Sequence, residues 1–351
     1  MGNWRKNLKQ IDPYVPGFQP KDANVLKLNA NENPYPPSPQ VLAALHSLPA
    51  EALRRYPHSA GEPFRSALAR YHGLEPEQVL IGNGSDDILA LIFQACFQGE
   101  LPILYPDVTY SFYPVWSQLF GVPAETIPLT ADFRIDPRDY RRPNGGVLLP
   151  NPNAPTGRGE GLDFIRDILD HNQNSVVVID EAYVDFGGVS ALPLLKEYEN
   201  LIVVHTFSKS RCLAGARIGA AFANRELMAT LDAVKNSYNS YVIDSAAIAM
   251  GMASLADEAY YRETLQKLCT TRDWAVGEFT RLGFTVLPSQ ANFLMMTHAT
   301  RPAKEIYEAL TGYNIYIRYF NLPRIDNYLR VSIGTDADME RLLAALKEIL
   351  A

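Results

Sequence analysis

Basic residues never cluster in this chain. With 32 Lys and Arg against 39 Asp and Glu the net charge is −7, and no positive block exists to meet a phosphate backbone. Nucleic acid is therefore not an expected partner. Cysteine is scarce: Cys96, Cys212 and Cys269 are widely spaced and odd in number. That fits a reducing compartment and leaves no disulfide framework. There is no CxxC and no HExxH, and the six histidines are scattered, so no metal site is expected. No apolar run is long enough to span a membrane. The start, Met1-Gly2-Asn3-Trp4-Arg5-Lys6, has neither the apolar core of a signal peptide nor the Ser/Thr of a myristoylation site. The expected location is the cytoplasm. Two nucleotide signatures are incomplete as well. Gly82-Asn83-Gly84-Ser85-Asp86-Asp87 carries Asp87 where a dinucleotide fingerprint needs its third glycine, and it lacks the P-loop lysine. A small phosphate is favoured there over a dinucleotide or ATP.

What remains is an ordinary globular composition, 47% hydrophobic and 20% charged, in a chain long enough for two or three domains. Apolar runs at 78–81, 101–105, 147–149, 175–179 and 201–205 read as buried strands, and amphipathic stretches such as 161–171 read as helices between them. This alternation predicts an α/β fold with a mostly parallel sheet. Each run ends in polar residues, and ligands of such sheets sit at that carboxyl edge. The ends are the glycine turn at Gly82, then Pro106-Asp107-Val108-Thr109-Tyr110, Asn151 to Gly157, and Asp180-Glu181-Ala182-Tyr183. From about Val242 the pattern turns to helices and short strands of α+β type. The expected division is an N-terminal arm at 1–30, broken by Pro13, Pro16, Gly17 and Pro20, a large domain at 31–241, and a smaller α+β C-terminal domain at 242–351.

The fifth run, Leu201-Ile202-Val203-Val204, leads into Thr206-Phe207-Ser208-Lys209. An ammonium where a buried strand ends loses part of its hydration, and a desolvated amine is the nucleophile a Schiff-base former needs. Ser208 and Arg217 supply a hydroxyl and a fixed cation suited to a phosphate. A strand, a glycine turn and a helix, as around Gly84-Ser85, point backbone N–H groups at an anion. Taken with Asp180, Tyr183 and Tyr110, these residues suit an aldehyde cofactor with a pyridine ring and a phosphate. Lys209 would bond the aldehyde, Asp180 would keep the ring nitrogen protonated, Tyr183 would reach the ring hydroxyl and Tyr110 would stack on the ring. The Asp86 carboxylate favours the helix N-terminus over the phosphate. Plainer readings stay open at this point: Asp180 as a helix N-cap, the glycines as a packing turn, Tyr110 as half-buried packing.

Together with Pro13-Tyr14-Val15-Pro16-Gly17, Leu28 to Pro34, Arg55-Tyr56-Pro57, Leu213 to Gly219, Ala291-Asn292-Phe293 and Leu329 to Gly334, these motifs resemble the fold-type I pyridoxal-phosphate aminotransferases. Among them the chain is most similar to the histidinol-phosphate aminotransferase family. The resemblance implies pyridoxal 5'-phosphate as cofactor, with Lys209 as the catalytic lysine. It implies cofactor contacts from Gly84, Ser85, Asp86, Tyr110, Asp180, Tyr183, Thr206, Ser208 and Arg217. Tyr56 of the partner subunit would complete the phosphate site, which implies a homodimer. The implied reaction takes histidinol phosphate and 2-oxoglutarate to imidazole acetol phosphate and glutamate, a step of histidine biosynthesis. Tyr14, Asn31, Arg318 and Arg330 would surround these small-molecule substrates. A guanidinium binds a phosphate ester or a carboxylate bidentately, so one site can serve both; surface ion pairing is the plainer role for either arginine. One departure from the family pattern is Ala154, where an Asn before Pro-Thr-Gly usually bonds the ring hydroxyl. Asn153 or Asn151 would stand in, or Tyr183 would act alone. Aminotransferases for aromatic and other amino acids, and a phosphothreonine decarboxylase, share the cofactor motifs, so the substrate expectation rests on the arginines. Non-enzymatic regulators of this fold carry an added DNA-binding domain, for which the chain has no room before Tyr14.

Overall fold

The structure is a computed structural model that describes residues 3–14, 17–18, 20 and 24–351. Val15 and Pro16, part of one family-like stretch, lie outside the described residues.

The central strands of the main sheet form on runs of consecutive apolar residues. Val147, Leu149, Val177, Ile179, Leu201 and Val203 pack into one core, while Leu148, Val178, Ile202 and Val204 pack into another on the opposite face. Alternate side chains leave a strand on opposite faces, so a sheet covered on both sides needs such runs. Seven strands lie in the order β2 (Val79–Gly82), β8 (Gly219–Phe222), β7 (Leu201–Thr206), β6 (Val177–Asp180), β5 (Gly146–Pro150), β3 (Ile103–Pro106), β4 (Ala124–Ile127). All are parallel except β8, which is antiparallel to both its neighbours. The apolar runs did not predict β4 or β8. Three of the four β4 residues are exposed, as suits an edge strand, and β8 is mostly Gly and Ala, which carry little strand signal.

Ahead of β2 lie β1 (Leu26–Lys27), α1 (Pro39–His46), α2 (Ala50–Arg54) and α3 (Phe64–His72). Ser38 Oγ accepts from Val41 N and caps α1, as its Ser-Pro start predicts. The sheet is flanked by α4 (Ser85–Cys96), α5 (Tyr113–Phe120), α6 (Leu162–His171) and α7 (Arg225–Tyr238), followed by α8 (Ser245–Ala256) and the long α9 (Glu258–Arg281). A second, antiparallel sheet has the order β12 (Arg318–Tyr319), β13 (Leu329–Ser332), β10 (Phe293–His298), β9 (Phe284–Val286). It packs with α9, α10 (Ala303–Gly312) and α11 (Asp336–Leu350) around a third core.

Packing contacts cross the expected limits at 30 and 241. Leu26 pairs with Ile315 of β11 (Ile315–Tyr316), and Leu26 and Leu28 are buried in the C-terminal core. The end of the expected arm is therefore a structural strand. Ile243, Ala247 and Ile248 at α8 join the core under the main sheet, because α8 lies against α1 and α3.

Candidate active site

Since β2, β3, β5, β6 and β7 run the same way, their carboxyl ends meet along one edge of the sheet. The reversed strand β8 adds to that edge from its beginning: Gly219 pairs with Thr206 on one side and Gly82 on the other. Arg217, two residues earlier, is thereby carried to the turn at Gly84. It lies so close that a Cβ on Gly84 would stand 2.6 Å from Arg217 Nη2, and Gly84 itself has φ +83. The Arg217 side chain could yield, but this backbone conformation calls for glycine.

A recess of about 90 Å³ opens at this edge and joins a larger cavity of about 450 Å³. The recess is lined by Ser85, Asp86, Tyr110, Asp180, Tyr183 and Thr206, and also by Ser208, Lys209 and Arg217. Gly84 supplies the turn behind them. The larger cavity is lined by Tyr14, Asn31, Arg318 and Arg330, and Lys209, Tyr110 and Tyr183 stand on the border of the two. Besides Gly84, two of the named residues line neither cavity: Tyr56, expected at the partner's recess, and Asn153. Tyr56 is 80% exposed and stacks on Tyr241 at 4.4 Å, away from both cavities. Asn153 is buried and turned away. Its Oδ1 accepts from Thr109 and its Nδ2 donates to Val108 O and Thr156, while Ala154 lines the recess. Asn151 is equally engaged, exchanging both amide bonds with the Glu160 backbone. Of the three residues considered for a ring hydroxyl, only Tyr183 faces the recess.

Asp180 sits at the end of β6 with its side chain closed off from solvent. Its Oδ2 accepts from Tyr113 Oη at 2.9 Å and its Oδ1 from Ala182 N at 3.2 Å. No α-helix starts there, so it is not a helix cap. Burial pushes its pKa up to about 6, against the pull of the two hydrogen bonds toward the ionised form. A buried carboxylate of this kind calls for a cation. Tyr110 Oη donates to Asp86 Oδ1 at 2.8 Å, and burial with Asp86 alongside keeps this phenol far above its usual pKa and neutral. Asp86 also faces Arg217 at 3.4 Å. Ser208 Oγ is buried and, among the described residues, has no hydrogen-bond partner. An orphaned hydroxyl costs stability unless a ligand completes it.

Lys209 Nζ lies 5.6 Å from the centre of the Tyr183 ring and 3.4 Å from Ala30 O. Asn31, at φ +54, donates from Nδ2 to Tyr183 Oη at 2.9 Å and accepts from Ser332 Oγ. Asn33 holds the carbonyl of Lys209 at 2.9 Å. The 28–35 loop thus ties the lysine turn to the C-terminal sheet. On that sheet Arg318 and Arg330 are direct register partners across β12 and β13, so both guanidiniums leave the same face. Arg330 Nη2 donates to Asn29 O at 3.0 Å, while its Nε is buried without a partner among the described residues. Tyr113, Asn33, Ser332 and the cavity wall at Phe320 were not predicted. Tyr113 had one available signal, its place one turn beyond Tyr110; the others become neighbours of the site only through tertiary packing.

The family profile described as aminotransferase class I and II matches residues 23–346. The chain belongs to the class I and II aminotransferase family. Within that family it is 51% identical over 348 residues to a histidinol-phosphate aminotransferase of Acinetobacter baumannii, covering 98% of this chain and 96% of the relative. Against histidinol-phosphate aminotransferase 2 of Dechloromonas aromatica it is 50% identical, covering 99% and 98%. The histidinol-phosphate aminotransferase of Sinorhizobium meliloti, solved in complex with pyridoxal-5'-phosphate, superposes with a TM-score of 0.85 at 27% identity, covering 93% of this aminotransferase chain and 90% of that one. Among the described residues no group of His, Cys, Asp and Glu could hold a metal ion, and no helix is long and apolar enough to cross a membrane.

Proposed function

We propose that this aminotransferase moves the amino group of histidinol phosphate to 2-oxoglutarate, giving imidazole acetol phosphate and glutamate in histidine biosynthesis, and that it works as a cytoplasmic homodimer. The observation that carries the substrate reading is the arginine pair. Arg318 and Arg330 stand opposite each other on β12 and β13 at the wall of the larger cavity, and Arg330 Nε is buried without a partner among the described residues. A phosphate ester and a carboxylate are both oxyanions that a guanidinium fork matches, so one pair can hold either substrate in turn.

The recess fits pyridoxal 5'-phosphate. Among the described residues Ser208 Oγ lacks a partner and the buried Asp180 lacks a cation, and Arg217 and the N-terminus of α4 meet at the same corner. When bound, the cofactor supplies an aldehyde that condenses with amines and a ring that accepts the electrons of a broken C–H bond. In this reading Asp180 would keep a proton on the ring nitrogen, and Tyr110 would pack against the ring. Tyr183 Oη, fixed by Asn31, would bond the ring hydroxyl unaided by Asn153. Ser85, Ser208 and Arg217 would hold the phosphate, with Thr206 Oγ1 accepting from Ser208 N to set the turn. Lys209 Nζ would be the group that holds the cofactor's aldehyde, and the base that moves the proton on the substrate's amine-bearing carbon. Tyr14, stacked on Phe112 at 4.2 Å, walls the substrate side of the cavity and keeps water out.

The test is Arg330→Gln, read in each half-reaction separately. A charge-assisted hydrogen bond is worth about 1.5–3 kcal/mol, so losses of roughly ten- to a hundredfold are expected with histidinol phosphate and with glutamate alike. The resting absorbance of the bound cofactor should stay as it was. A variant that loses glutamate turnover but keeps full activity on histidinol phosphate would mean that the phosphate is held elsewhere.

A further inference from the structure

The two substrate-facing arginines stand at either end of one connection, residues 320–328 between β12 and β13. Phe320 in that connection packs against both, with its ring centre 5.4 Å from the Arg318 guanidinium and 5.5 Å from that of Arg330. The connection has little regular structure of its own, and what fixes it is Arg324. Arg324 reaches across to the loops of the main sheet. Its Nη1 donates to Asp107 Oδ2 at 2.6 Å, and its Nη2 donates to Leu129 O and Thr130 O, both at 2.9 Å. The guanidinium lies 5.5 Å from the centre of the Phe133 ring. Asp107 is itself locked, its Oδ1 accepting from Val108 N and Leu129 N at 2.9 Å each. Arg324 has φ +70, a backbone state that a non-glycine residue keeps only where its surroundings over-determine it. Next to it, Ile325 is buried with Val108, Leu129, Phe133, Leu287 and Met295, a small core made by both sheets.

We propose that Arg324 is a positioning residue for substrate binding, a latch that ties the Arg318–Arg330 connection to the loop bearing Tyr110 and so sets the distance from the oxyanion-binding arginines to the cofactor side of the cavity. The inference rests on the substrate reading above, although the latch itself does not. Arg324 needs no contact with the substrate to act. Its fork holds three acceptors of one sheet's loops from the other sheet's connection, and a bidentate guanidinium cannot be replaced there by the single point of an ammonium.

Two variants of the complete, cofactor-loaded enzyme test it: Arg324→Lys, which keeps the charge but loses the fork, and Asp107→Asn, which still accepts from Val108 N but loses the ion pair. In both, KM for histidinol phosphate and for 2-oxoglutarate should rise about tenfold or more, while kcat falls no more than about threefold and the resting cofactor absorbance is unchanged. The double variant should be little worse than Arg324→Lys alone, since both changes cut one connection. Hydrogen–deuterium exchange of the free enzyme should speed up at 320–328 in each. Unchanged exchange at 320–328, additive effects in the double variant, or a loss expressed in kcat with KM intact would each overturn the latch. Should the unaltered enzyme not turn over histidinol phosphate, the substrate reading fails; the exchange data, and KM for whichever amino donor it does use, still decide the role of Arg324.

Discussion

At the scale of single residues, the site is built from groups whose folded surroundings leave them incomplete. Asp180 is the clearest. Its pKa is raised from 3.8 to about 6 by burial, so the folded protein holds that proton more tightly than the unfolded chain does. The stabilising contribution of the protonated form is complete below the unfolded value and is lost as pH rises from about 4 through about 6. In the cofactor-free protein this loss amounts to roughly 3 kcal/mol by pH 7, at 1.36 kcal/mol per pKa unit. A protonated ring nitrogen beside Asp180 would offset it. Cofactor-free Asp180→Asn protein should therefore melt above the cofactor-free wild type at pH 7, with the gap closing below about pH 4, while its affinity for pyridoxal phosphate falls. Calorimetric scans at both pH values, with and without cofactor, check this. Equal melting temperatures at pH 7 would mean that the carboxylate is already compensated within the folded chain.

At the scale of elements, the phosphate corner depends on close approach between β8 and the turn before α4. A Cβ on Gly219 would stand 2.3 Å from Gly84 C and 2.5 Å from Ser85 N, both backbone atoms that cannot swing aside. Gly219→Ala should push the Gly84-Ser85 turn out of place, with an overpacking cost of about 1–3 kcal/mol and weaker binding of pyridoxal phosphate in equilibrium dialysis. Cofactor affinity equal to wild type would show that the turn tolerates the shift. This corner also marks what the sequence made legible. The all-apolar runs of β5, β6 and β7 and the polar residues at their ends are local signals, and they led to Asp180, Tyr183 and Lys209 lining one recess. β8 lacks such a signal, because its Gly and Ala residues are chosen for closeness rather than for apolar surface. Its reversed direction, which brings Arg217 to the edge, is a property of the sheet and not of any short stretch. Asn153 shows the opposite failure. Its position beside Ala154 suggested a role that its buried hydrogen bonds to Thr109, Val108 and Thr156 already occupy.

At the scale of the whole molecule, one chain leaves aromatic and apolar surface uncovered beside α1 and α2. Leu42, Leu45, Leu53 and Tyr56 are all exposed, Tyr56 at 80% and stacked on Tyr241. In the proposed homodimer Tyr56 serves the recess of the partner subunit. Mixing Lys209→Ala chains with Tyr56→Phe chains then creates mixed dimers in which one site carries both defects and the other carries neither. With random pairing, activity should return to about a quarter of the wild-type level, since half the dimers are mixed and each has one intact site. No recovery on mixing, or a fully active monomer in sedimentation, contradicts the shared site.

The reaction itself belongs to this scale, because it needs the recess, the larger cavity and both sheets at once. The most direct measurement is steady-state kcat/KM of the purified, cofactor-loaded enzyme with 2-oxoglutarate as amino acceptor. Histidinol phosphate should be compared with phenylalanine, tyrosine and O-phosphothreonine as donors, following glutamate and carbon dioxide together. With Arg318 and Arg330 matched to a phosphate ester, histidinol phosphate should exceed each amino acid by at least about tenfold, with glutamate formed and no carbon dioxide released. An aromatic amino acid used as well as histidinol phosphate, or carbon dioxide released from O-phosphothreonine without any need for 2-oxoglutarate, would contradict the proposed function.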